Sequence, residues 1–107
     1  MSEITLHLES LQPRIAQTAA WRRNMALSFP HDGRNATAAG RLDDFAIADC
    51  TEVSSTVLKA LAPYAGKTVL RDAVSAAARD CEFRRWPKTF DGFLHLVIEK
   101  IQAPTQH

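Results

Sequence analysis

The sequence predicts an all-α fold: a single domain of about four helices, unequal in length and bundle-like, with one long central helix. Three observations carry that expectation. Apolar residues at Ala38, Ala39, Leu42, Phe45, Ala46, Cys50, Val53, Val57, Ala60, Leu61 and Tyr64 recur at steps of three and four, which keeps them on one face at about 100° per residue. No proline falls between Pro30 and Pro63 to interrupt that stripe. Finally, 107 residues with 46% hydrophobic and 23% charged side chains suit one packed core and are too few for two.

At the N-terminus, Ile4, Leu6 and Leu8 alternate as in a strand. A single strand has nothing to pair with, so 1–9 is expected to be extended or frayed. The first helix is expected over 11–27, with Ser10 as its cap and Pro13 in the first turn, where a missing N–H is tolerated. Leu11, Ile15, Ala19, Met25 and Ala26 share its apolar face, and Arg22 interrupts the middle of that face. A turn follows at Pro30 and Gly33.

The second helix is expected over 35–62, ending ahead of Pro63, which disfavours helical geometry in the residue before it. Its weak stretch is 49–56. There Thr51, Val53 and Thr56 are β-branched, and Ser54 and Ser55 compete for backbone hydrogen bonds. A break near Cys50 and Thr51 is the rival reading, but the apolar phase carries through the stretch and favours one continuous helix. Pro63 and Gly66 mark the next turn.

The third helix, 67–83, collects Leu70, Ala73, Val74, Ala77 and Cys81 on one face, and the alanines four apart allow a neighbour to approach closely. The fourth, 90–102, has Thr89 as cap and the cleanest stripe of the chain: Phe90, Phe93, Leu94, Val97, Ile98 and Ile101. Burying six such side chains contributes about 9–18 kcal/mol. Fixing roughly a dozen backbone residues costs about 12–24 kcal/mol. The helix therefore has to dock on the others, closing the core, while 103–107 frays.

Composition excludes some functions more firmly than it suggests any. Thirteen basic and twelve acidic residues leave a formal charge of +1, so no global field draws the chain to nucleic acid or to an anionic membrane. No apolar run approaches the roughly 20 residues of a membrane span, and the first residues have acids and no basic segment of the kind that opens a secretory signal. Cys50 and Cys81 are too few and too far apart for a disulfide framework or a zinc motif. A cytoplasmic protein is expected, and the Asn35-Ala36-Thr37 sequon is then irrelevant.

Two clusters combine arginine with tryptophan: Trp21-Arg22-Arg23, and Arg84-Arg85-Trp86 followed by Lys88. Guanidinium and indole serve nucleic-acid surfaces as phosphate contact and stacking platform. They also mark the hot spots of protein interfaces, and cations favour helix C-termini, where the second cluster is expected. A helix-turn-helix register around Gly66 fails, because Pro63 interrupts its first helix and Asp72 falls where a buried aliphatic is needed.

Asp91, His95 and Glu99 form a row along the last helix. Such a row is more often a solvated face than a metal site, which needs three or four ligands. Cys81 on an apolar face is expected to pack rather than react. Four acids within 42–52 (Asp43, Asp44, Asp49 and Glu52) lie apart in sequence from both basic clusters, a segregation that suits docking on a partner. No glycine-rich phosphate loop, nucleophile elbow or carboxylate pair is present.

The sequence therefore points to a small non-enzymatic regulatory or adaptor protein that needs no cofactor or metal. It would bind another protein through Trp21, Arg22, Arg23, Arg84, Arg85, Trp86 and Lys88. A homodimer is the companion expectation, because a long helix projecting beyond shorter neighbours leaves apolar stripe for a second copy to cover. Nucleic-acid binding through the same residues is the second reading. An enzyme using Asp91, His95 or Cys81 is the third.

Overall fold

A computed structural model of the chain describes residues 3–80 and 87–102. Those residues form five α-helices and no strand. The expected all-α, bundle-like architecture is the one observed, with two changes in how the helices are cut.

Helix α1, Glu3–Ser28, is the longest at 26 residues and extends about 39 Å at 1.5 Å per residue. It takes in most of the segment expected to be extended. The alternation of Ile4, Leu6 and Leu8 misled because Ile4 and Leu8 are also four apart. Both are buried, in phase with buried Ile15 and Ala19, whereas Leu6 is 55% exposed. Ser10 therefore lies inside the helix, where its hydroxyl donates to the His7 carbonyl (2.7 Å) instead of capping. Pro13 is interior as well. Its exposed position leaves the carbonyl that loses an amide partner on the solvent side, where a helix accommodates the loss most easily.

The expected long helix over 35–62 is broken. Helix α2 covers Arg34–Ala46, a 3₁₀ turn covers Cys50–Glu52, and α3 covers Ser55–Leu61. The physical reason is a pair of caps inside the weak stretch. Asp49 takes an extended conformation (φ −79°, ψ 109°), and its carboxylate accepts from the Thr51 amide. Ser54 is also extended (φ −60°, ψ 148°), and its hydroxyl accepts from the Val57 amide.

Other helices complete the break. The Gln12 side-chain amide of α1 donates to the carbonyls of Phe45 (3.1 Å) and Ala48 (2.7 Å), satisfying the end of α2. The Asp91 carboxylate accepts from the Ser54 amide at 2.9 Å. The apolar phase survives because Leu42, Phe45, Cys50, Val53, Val57 and Leu61 all still reach one core.

A 3₁₀ turn at Ala62–Tyr64 holds Pro63, and Gly66 follows at φ +76°, a left-handed conformation that suits glycine. Helix α4, Thr68–Asp80, buries Leu70, Ala73, Val74, Ala77 and Ala78, while Cys81 lies outside the described residues. Helix α5, Phe90–Gln102, agrees with the sequence reading, and Thr89 caps it by accepting from the Gly92 amide at 3.0 Å.

Helix α1 packs against α2 and α4, α4 packs against α5, and α3 leans on α5. All five helices contribute to one core. Its aromatic centre joins α2 to α5: the Phe93 ring lies 5.1 Å from Phe45 and 6.1 Å from Phe90, centroid to centroid. Offset aromatic pairs at such separations add about 0.5–1.5 kcal/mol beyond the area they bury.

Candidate functional site

Trp21, Arg22 and Arg23 are consecutive on α1, so successive side chains point about 100° apart, and the three have different fates. Trp21 is 43% exposed and Arg22 only 5%. Arg23 is half exposed and paired with Asp43 of α2 at 2.5 Å. That pair sets one of the four acids of 42–52, Asp43, against the first basic cluster, so at this point the two charges meet in space although they are apart in sequence.

Arg22 ties three helices together. One guanidinium nitrogen donates to the Asn35 side-chain oxygen at 3.0 Å, and Asn35 is itself buried near the start of α2. The other terminal nitrogen donates to the backbone carbonyl of Arg79, in the last turn of α4. A buried guanidinium needs acceptors for its N–H groups, and these two neutral oxygens accept from its terminal nitrogens. The break that Arg22 makes in the apolar stripe was the sequence signal for this clamp. Nothing local marked Asn35 or Arg79 as its partners.

The clamp also contacts the tryptophan. The Arg22 guanidinium carbon lies 4.7 Å from the centroid of the Trp21 ring, within range of a cation–π contact. Trp21 joins Gln17, Thr18 and Arg79 in lining a groove of about 160 Å³ between α1 and the end of α4. Gln17 and Thr18 stand four and three residues before Trp21 on α1 and meet it by helical spacing alone, though neither was singled out by sequence, whereas only the packing of α4 on α1 brings Arg79 to them. Lys88 is exposed, and Arg84, Arg85 and Trp86 lie outside the described residues.

Electrostatics around the clamp are local. Hydrogen bonds from the Arg34 side chain and backbone, with the positive charges of Arg34 and Arg22, outweigh partial desolvation and lower the Asp32 carboxyl to about 2. Asp32 thus stays ionised at the turn between α1 and α2.

The other candidates resolve differently. Asp91 is engaged with the Ser54 amide, while His95 and Glu99 are exposed, so the row does not converge. Among the described residues no group of three or more His, Cys, Asp or Glu side chains is placed to hold a metal ion. Cys50 is 1% exposed, and burial, helped by the charges of Glu9 and Asp49, pushes its thiol up to about 11. It is therefore protonated at neutral pH, and the thiolate is the reactive form.

A second cleft of about 220 Å³ lies between α1 and the first turn of α4, lined in part by His7, Lys67, Thr68 and Arg71. A third, of about 200 Å³, is flanked by Asp49, Glu52 and Asp91. No helix among the described residues is long and apolar enough to cross a membrane. Comparison with known proteins gives no match to any family model, curated protein sequence or solved structure.

Proposed function

We propose that this is a small regulatory or adaptor protein that acts by binding another protein through the face of α1 around Trp21, with a second copy of the chain as one candidate partner. The observation that supports this reading is the setting of Trp21. A large, amphipathic ring stands exposed on a packed helix, held against a buried guanidinium, beside a groove lined by polar side chains. Interface hot spots are enriched in tryptophan, and a ring held in place before contact loses little freedom on binding. A cytoplasmic location and a non-catalytic role fit the same reading.

Trp21→Ala is the informative variant. Arg22→Ala would test the fold instead, because it removes the donor to the buried Asn35 oxygen and the tie to the Arg79 carbonyl, and a buried group left unsatisfied costs about 1–3 kcal/mol. A photo-crosslinker at Gln17, used in cells, should give a discrete protein adduct, or a dimer of the chain. Trp21→Ala should abolish the adduct while leaving the melting temperature nearly unchanged. Measured with the identified partner, the variant should weaken Kd at least tenfold, mostly through faster release, about 1.4 kcal/mol or more.

Nucleic-acid binding is the outcome that would displace this reading. It would appear as micromolar or tighter binding to random duplex in a fluorescence anisotropy titration at physiological salt. Affinity would then fall with salt at a log–log slope of about −0.9 per phosphate contacted.

A further inference from the structure

We draw no further inference here: the strongest candidate, the cleft between α1 and the first turn of α4 lined by His7, Lys67, Thr68 and Arg71, rests on a helix N-terminus with exposed basic side chains and carries no second observation that points to a ligand.

Discussion

The segment from Arg34 to Leu61 and the segment from Phe90 to Gln102 have the same helical apolar period, yet the first is cut into two helices and a 3₁₀ turn while the second is unbroken. The difference lies in the polar residues between the apolar ones. In α5 the strong cap, Thr89, stands at the start. In the longer segment Asp49 and Ser54 are caps placed inside the stripe, and each begins a new helical piece. Periodicity therefore reports which face is buried, and capping chemistry reports where a helix starts. The two signals are independent, because a 3₁₀ turn and a short extended link can return the chain to the same face.

The comparison can be tested in order of expected effect. Phe93 is fully buried and stacks on Phe45 from the other segment, so Phe93→Ala should destabilise by about 3–5 kcal/mol in urea unfolding, as large-to-small changes in a core do. A loss below about 1 kcal/mol would mean that the rings do not join the two segments.

A proline in the middle of α5 comes next. His95 is exposed, so His95→Pro loses little side-chain packing, yet it should cost about 3 kcal/mol or more because it removes an interior helical hydrogen bond and strains the preceding turn. The same substitution at Ser54 should be much milder. Ser54 already has φ −60°, and Val53 before it has φ −66° and ψ 139°, both compatible with proline. What Ser54→Pro removes is the backbone N–H hydrogen bond to Asp91 and the hydroxyl cap, about 1 kcal/mol each. Equal losses at the two positions would show that the segment is one helix after all.

The smallest effect concerns the acid side of the break. Hydrogen bonds from the Thr51 hydroxyl and amide lower the Asp49 carboxyl below its ordinary value of 3.8. A carboxyl lowered in the folded state stabilises it above the unfolded value, and that contribution fades as pH falls through the folded value. Asp49→Asn keeps a capping oxygen but cannot ionise. The stability difference between the parent and this variant should be constant from pH 7 to about 5, then shrink below pH 4 in a series of thermal melts. A difference independent of pH would mean that Asp49 does not hold the turn through its charge.

Much of the fold was legible in the sequence. The buried faces of α2 to α5, and of α1 from Leu11 onward, followed from steps of three and four, and the start of α5 followed from Thr89, since these depend only on neighbours within a turn or two. Arg22 also announced itself, as a cation in the middle of an apolar face. Tertiary structure decided the rest. The end of α2 is satisfied by Gln12, 33 and 36 residues away from its acceptors, the start of α3 by Asp91, 37 residues from Ser54, and the Arg22 clamp closes on a carbonyl 57 residues along the chain. Helix ends leave backbone groups that must find partners. Where those partners come from other helices, only the packed structure can say where one helix stops, or which side of Trp21 lies open to a partner.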